Sequence, residues 1–258
     1  MMNKDWNPDL YLKFDKERTQ PSIDLVRRIS FDKPGRIIDI GCGPGNSTQV
    51  LAERWPGSDI LGVDKSPSMI EKAKNDFPDQ EWRILDVGTD YIDGKFDIVF
   101  SNATIQWIPN HAELLKKLRS LLGEHGVLAV QIPLFWDMPL GKSIVNIASE
   151  DRWAVVTGGV SELFTIHDYS CYYDILSGLF SSTDFWITDY IHVLDSQASI
   201  LNMIKSTGLK PYLDSLECDS DKDDFEKMVL SEIEKDYPLQ KNGKVLFPFK
   251  RLFLISTI

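Results

Sequence analysis

Arg36-Ile37-Ile38-Asp39-Ile40-Gly41-Cys42-Gly43-Pro44-Gly45-Asn46 is the stretch on which the reading of this chain turns. The run Ile37 to Ile40 has the apolar character of a buried parallel strand. It enters a glycine-dense turn, Gly41 to Gly45. Asn46, Ser47 and Thr48 then offer helix N-caps before the amphipathic run Gln49 to Trp55. Strand, glycine turn and helix together open a nucleotide-binding βαβ unit. Glycine takes φ > 0 at little cost and leaves bare backbone for a ligand to approach. The helix start adds N–H donors without intrahelical partners.

The turn departs from the dinucleotide fingerprint G-x-G-x-x-G. Its third glycine comes one residue early, and Asn46 stands in the sixth place. No Lys-Ser/Thr pair follows, so it is not a P-loop either. The stretch Asp39 to Asn46, D-I-G-C-G-P-G-N, resembles the first motif of the class I S-adenosylmethionine-dependent methyltransferases. The resemblance implies a loop that passes beside the amino-acid end of the cofactor and grips no phosphate.

A chain of 258 residues suits one large domain, or one with an embedded cap. The net charge of −11 argues against unaided binding to nucleic acid or to an anionic membrane, since both need basic patches. A small anionic partner stays compatible, because a pocket can carry local charge of the opposite sign. Cys42, Cys171 and Cys218 are odd in number and form no C-x-x-C, which speaks against a disulfide framework or structural zinc. The first residues lack an apolar signal core, and no apolar run approaches the roughly 20 residues of a membrane span. A reduced, cytoplasmic setting is expected. His111, His125, His167 and His192 make no metal-binding pattern, so no metal is expected.

Taken in order, an N-terminal segment carries Trp6, Tyr11 and Phe14. These read as a packed arm or as a flap over the cofactor. A helix follows over about 17–30. A second strand, 59–64, ends in Asp64, 19 residues after Gly45. An acid there can accept both hydroxyls of a ribose, or it can cap a helix. Lys65 comes next, with Ser66 as a cap and Pro67 at the first helical position. Strand three, 81–85, precedes Asp86-Val87. Strand four, 96–100, precedes Ser101-Asn102. Asn110 caps a leucine-rich helix that Gly123 ends, and strand five is 127–132. Consecutive βα units of this kind require a doubly wound sheet.

From 133 to 183 the periodicity loosens and aromatics accumulate: Trp136, Trp153, Phe164, Tyr169, Tyr172 and Tyr173. This reads as an acceptor-binding insertion, with core packing as the alternative for most of the rings. A strand over 184–193, a helix capped by Asp195, an acidic helix over 218–237 and a last strand over 245–255 complete the chain. The expectation is a seven-stranded, mainly parallel α/β sheet with a helical cap over the strand ends. It forms one domain, 1–258, in four stretches: an N-terminal arm and helix (1–30), a cofactor half (31–132), an acceptor insertion (133–183) and a C-terminal part (184–258).

Several further segments narrow the resemblance. W-N-P-D-L-Y-L-K-F at 6–14, E-R-T-Q-P at 17–21 and S-N-A-T-I-Q-W-I-P-N-H at 101–111 are similar to the trans-aconitate methyltransferases. So are Y-Y-D-I-L-S at 172–177, T-G-L-K-P-Y-L at 207–213 and F-P-F-K-R-L-F at 247–253. The resemblance implies transfer of a methyl group from S-adenosylmethionine to a carboxylate of a small polycarboxylic acid, trans-aconitate in the first place, giving a monomethyl ester. It places the cofactor against Gly41, Cys42, Gly43, Gly45, Asp64, Lys65, Asp86, Val87 and Asn102, with Asp86 on the adenine amino group. It also implies a last strand lying antiparallel beside strand five. Because a carboxylate acceptor is ionised at neutral pH, no acid–base residue is nominated. Positive donors must hold the remaining carboxylates, and Arg18 and Arg251 are the candidates. Gln106, Trp107 and Gln131 sit where strands four and five end and are read as acceptor-binding.

Three other readings stay open at this point. One is a methyltransferase for a different small molecule. Another is a non-catalytic S-adenosylmethionine-binding protein. The third is an NAD-dependent dehydrogenase, for which Tyr91-x-x-x-Lys95 would need a helix that Asp93-Gly94 interrupts. The oligomeric state is not legible.

Overall fold

The computed structural model describes residues 5–8 and 13–258. Helix α1 (Asp15–Arg28) leads into β1 (Arg36–Ile40), α2 (Asn46–Arg54), β2 (Asp59–Asp64), α3 (Pro67–Asp76), β3 (Glu81–Ile84), β4 (Phe96–Asn102), α4 (His111–Ser120) and β5 (Leu122–Pro133). The chain continues through α5 (Pro139–Ala148), α6 (Ala154–Thr157), α7 (Tyr169–Ser177), β6 (Ser182–Leu194), α8 (Gln197–Lys205), α9 (Lys210–Ser215), α10 (Asp219–Asp236) and β7 (Val245–Thr257). The seven strands form one sheet in the order β3-β2-β1-β4-β5-β7-β6.

β1 is the centre of the parallel part. It pairs with β2 from Arg36–Asp59 to Ile40–Val63, and with β4 at Ile37–Ile98 to Asp39–Phe100. Four of its five residues are buried, as the apolar run predicts for a strand covered on both faces. β5 continues the parallel pairing from β4. β7 runs the other way: the Ile258 N–H donates to Gly126 O, and the Leu134 N–H donates to Lys250 O. The doubly wound, mainly parallel sheet with an antiparallel last strand beside β5 is therefore present.

Several boundaries moved for physical reasons. β5 begins at Leu122 rather than at 127, and Gly123 lies within it instead of ending a helix. A bulge absorbs the difference: Phe96 pairs with Leu122 while Ile98 pairs with Val127. α8 is capped by Ser196, whose hydroxyl accepts the Ser199 N–H, and not by Asp195. The Asp195 carboxylate pairs with Lys244 instead. The expected cap of α3 is borne out: the Ser66 hydroxyl accepts the Met69 N–H, with Pro67 at the first helical position. Tyr91 to Lys95 lie in a loop, so Tyr91 and Lys95 share no helix turn. Tyr11 lies outside the described residues. Trp6, by contrast, meets Trp107 edge-on with ring centroids 5.3 Å apart.

The chain divides into two units. The first runs to Ile132 and adds Thr165–Ile187 and Leu252–Ile258; the second holds Pro133–Phe164 and Thr188–Arg251. The second unit has its own aromatic core. Trp153 and Tyr212 pack on Phe225 of α10 at 5.5 and 6.0 Å, and all three are buried. Trp153, one of the aromatics of the loosened region, is thus a core residue. Among the described residues, no helix is long and apolar enough to cross a membrane.

Gly62 of β2 has no room for a side chain, since a Cβ there would stand 2.4 Å from the Trp82 ring. Gly62→Ala should lower the unfolding free energy by about 1–3 kcal/mol. Urea melts of the two proteins measure this, and an unchanged midpoint contradicts the packing.

Candidate functional site

From β1 the chain winds through β2 to β3 on one side of the sheet, and from β4 to β5 on the other. The reversal leaves a crevice at the carboxyl ends of β1 and β4, where open α/β sheets bind ligands. A small cleft opens there. Arg18 and Ser22 of α1 line it, with Gly41 to Pro44 of the loop, Asn46 and Ser47 of α2, and Asn102 at the end of β4.

The loop is tied to β2. The N–H groups of Gly41 and Cys42 both donate to Val63 O, at 2.7 and 3.0 Å. Gly43 N–H donates to Asp64 Oδ2 at 3.0 Å, and Gly45 N–H to Cys42 O at 3.1 Å. The three glycines have positive φ but serve different ends. A Cβ on Gly41 would lie 2.1 Å from Thr104 Cγ2, and one on Gly45 would press on Phe77 and Trp82. Only at Gly43 does a Cβ meet nothing within 4 Å, so this is where a ligand has open backbone to approach.

Asp64 accepts from Gly43 on one oxygen and from the Ser66 N–H on the other, at 2.9 Å. Desolvation pushes its carboxyl above the usual range, and these two backbone donors pull against it. The bonds orient the carboxylate and leave lone pairs on both oxygens. Lys65 beside it is exposed, Val87 is buried, and Asp86 Oδ1 accepts the Gly88 N–H at 2.8 Å. None of these four residues lines the cleft.

Asp39, beneath the loop, is a residue that sequence reasoning passed over. It is fully buried in β1, and its Oδ2 accepts from the hydroxyls of Ser47 and Thr48 at 2.6 and 2.7 Å. Those two side chains, expected as helix caps, turn inward to the carboxylate. Gly45 takes the N-cap position of α2 instead. The signal was in the sequence: an acid inside an apolar strand must have found partners nearby. Asp39 Oδ1 is buried with no hydrogen-bond partner, and desolvation, with the Asp64 charge adding to it, pushes the carboxyl up to about 6.

Two amide oxygens of the cleft residues, Asn46 Oδ1 and Asn102 Oδ1, are likewise buried without a hydrogen-bond partner. Arg18, Asn46 and Asn102 all line the same cleft, so one cation and two amide acceptors border it. That donor and acceptor set fits an amino-acid zwitterion.

The turn Ile105–Trp107 follows β4. Gln106 Nε2 donates to Ala103 O at 2.7 Å, while Gln106 Oε1 is buried and has no hydrogen-bond partner. Gln131 is fully buried in β5, and its backbone oxygen accepts the Ala103 N–H at 3.0 Å. Arg251 belongs to the second unit, buried with its guanidinium over the Phe249 ring at 4.5 Å. The first unit therefore brings Arg18, Gly41 to Gly43 and Asn102 together in one cleft, and it leaves Gly45, Asp64, Lys65, Asp86 and Val87 outside that cleft's lining.

A family model described as a methyltransferase domain matches residues 14–170. The chain is 39% identical over 252 residues to trans-aconitate 2-methyltransferase of Escherichia coli O7:K1 (strain IAI39 / ExPEC), covering 98% of both chains. The fold is similar to that of the YcgJ protein of Bacillus subtilis, with a TM-score of 0.62 at 12% identity over 92% of this chain and 98% of that one. It is also similar to an O-methyltransferase of Brevibacillus brevis solved with S-adenosyl-L-homocysteine, with a TM-score of 0.52 at 15% identity over 97% of this chain and 77% of that one.

Asp39 makes a stability prediction of defined sign. Its folded pKa of about 6 stands above the ordinary 3.8, so the native state holds this proton more tightly than the unfolded chain does. The contribution is favourable at low pH and is lost as pH rises from about 4 to about 6. Asp39→Asn removes that loss. It should stabilise the protein at pH 8 by up to about 3 kcal/mol, with the gain fading toward pH 4. Thermal midpoints of both proteins across this range test it, and a gain independent of pH contradicts it.

Proposed function

The chain belongs to the trans-aconitate methyltransferase family, whose methyl donor is S-adenosylmethionine, and on that footing we propose that it methylates one carboxylate of trans-aconitate to a monomethyl ester. The observation that carries this reading is the spent state of the loop's donors. Gly41, Cys42, Gly43 and Gly45 all give their N–H groups to protein acceptors. A pyrophosphate grip needs such groups turned toward the ligand. A nucleoside ending in an amino acid makes no such demand.

S-adenosylmethionine, when bound, supplies a methyl group on a sulfonium, which an ionised carboxylate can displace. In our reading the chain's residues bind and align. Asp64 accepts the ribose hydroxyls, with its carboxylate held in place by Gly43 and Ser66. Asp86 takes the adenine amino group, and Val87 and Cys42 give apolar surface beside it. Gly43 leaves the approach open. Arg18 was expected from the sequence to hold the acceptor. It shares its cleft with the glycine loop, so the carboxylate we assign to it is the one on the cofactor's amino-acid end. The amide oxygens of Asn102 and Asn46 then accept from the ammonium.

We assign the acceptor to Gln106, Trp107 and Gln131 of the first unit, and we keep Arg251 of the second unit as the carboxylate holder that the sequence pointed to. An arginine suits a polycarboxylate because its planar fork meets a carboxylate on two N–H groups. The acceptor carboxylate is already ionised at neutral pH, so no side chain has to remove a proton. Rate comes from alignment and from exclusion of water around the acceptor.

The direct test is incubation with labelled S-adenosylmethionine and a set of small polycarboxylates. A monomethyl ester formed from trans-aconitate supports the reading, and labelling of none of the acids overturns it. Arg18→Met should weaken S-adenosylhomocysteine binding by about 10- to 100-fold and leave methylthioadenosine, which lacks the amino-acid end, unaffected. Equal weakening of both ligands contradicts the assignment. Arg251→Met should raise the acceptor KM by a similar factor at an unchanged S-adenosylhomocysteine Kd. A rise in both refutes its role.

A further inference from the structure

His111 opens α4, four residues after the turn that carries Gln106 and Trp107. It is buried, and so is Tyr172 of α7, from which it is separated by 61 residues of sequence. His111 Nε2 lies 2.9 Å from Ile105 O, and Nδ1 lies 2.8 Å from Tyr172 Oη. A carbonyl oxygen can only accept, so Nε2 carries the ring proton. Nδ1 then has only a lone pair, and the Tyr172 hydroxyl must donate to it. The Tyr172 oxygen is left to accept the His167 N–H at 3.4 Å. One arrangement of protons satisfies the whole chain of bonds.

The chain ends on the backbone of the acceptor turn. His111 holds Ile105 O, and the next carbonyl, Gln106 O, accepts the Thr165 N–H at 2.8 Å. Residues 165–172 thus reach two successive carbonyls of the turn, Gln106 O directly through Thr165 and Ile105 O through Tyr172 and His111. On its other side Gln106 Nε2 bonds Ala103 O, and Ala103 sits at φ +54, an uncommon conformation for a residue with a side chain. The Gln106 amide is thereby given one orientation, with one N–H of its NH2 on Ala103 O and its Oε1 buried without a hydrogen-bond partner.

We propose that the buried His111–Tyr172 pair is a positioning device for methyl transfer, fixing the turn that presents Gln106 and Trp107 to the acceptor. The inference rests on the reading of Gln106 and Trp107 as acceptor-binding. His111 acts as a neutral imidazole and takes up no proton from substrate. Desolvation, and the His167 ring 5.2 Å away, hold its pKa below the usual range, in keeping with that role.

Tyr172→Phe removes one hydroxyl and keeps the ring, so the core stays filled. His111→Gln keeps an N–H donor for Ile105 O, whereas His111→Leu keeps only bulk. Tyr172→Phe and His111→Leu should lower kcat/KM for the acceptor by about 10- to 100-fold, with the Kd for S-adenosylhomocysteine within about twofold of wild type. His111→Gln should recover most of the loss. The side-chain amide resonances of Gln106 should shift in Tyr172→Phe. Folded variants with wild-type kcat/KM, or variants in which cofactor affinity falls in step with acceptor turnover, would overturn the proposal. Wild-type protein that methylates no polycarboxylate would count against the proposed function instead. In that event the Gln106 resonances decide the positioning role, and an unmoved amide in Tyr172→Phe rejects it.

Discussion

The loop after β1 is fastened to β2 through its own backbone. Val63 O takes two of its N–H groups and the Asp64 carboxylate takes a third. The rest of the site depends on this attachment. Fastening sets the positive φ values of the glycines and brings Thr104 against Gly41, so the glycine there is demanded by packing. It leaves Gly43 as the open position. It also consumes the donors with which a glycine-rich loop would hold phosphate. A turn one residue shorter than the dinucleotide fingerprint thus offers open backbone at Gly43 in place of a phosphate grip.

Charge around the site is arranged against the average of the chain. The protein carries a net −11, yet the acceptor proposed for it is a polyanion. Local placement resolves this. Asp39 and Asp64 lie beneath and beside the loop, and burial disfavours the ionised form of both. Carboxylates in that place favour a cationic sulfonium and an ammonium. Two buried arginines, Arg18 of the first unit and Arg251 of the second, carry the opposite sign. Asp39 carries both a cost and a tie: its unpartnered Oδ1, fully inside the protein, costs folding energy, while its Oδ2 accepts from Ser47 and Thr48 and ties α2 to the strand beneath it.

Much of this was legible in the sequence, because periodicity and turn chemistry act over a few residues. The β1 run, the loop, the Ser66–Pro67 helix start and the Asn110 cap all depend on near neighbours, and all are present. Features set by distant partners were not legible. The early start of β5 depends on a bulge against β4. Asp195 loses its cap role to Ser196 because Lys244, 49 residues on, takes its carboxylate. Ser47 and Thr48 look like caps until Asp39 is known to lie within reach. The His111–Tyr172 pair joins two segments that no spacing rule connects. Arg18 was visible as a carboxylate binder, but only its place beside the glycine loop suggests which carboxylate.

A crystal structure with S-adenosylhomocysteine bound tests the central claim most directly. The account predicts the nucleoside along the carboxyl ends of β1 and β2, its ribose hydroxyls on Asp64 and its amino-acid end among Arg18, Asn46 and Asn102. The N–H groups of Gly41, Cys42 and Gly43 should keep their partners in β2. A ligand bound elsewhere, or a loop that releases Val63 and Asp64 to turn its N–H groups onto the ligand, would contradict it.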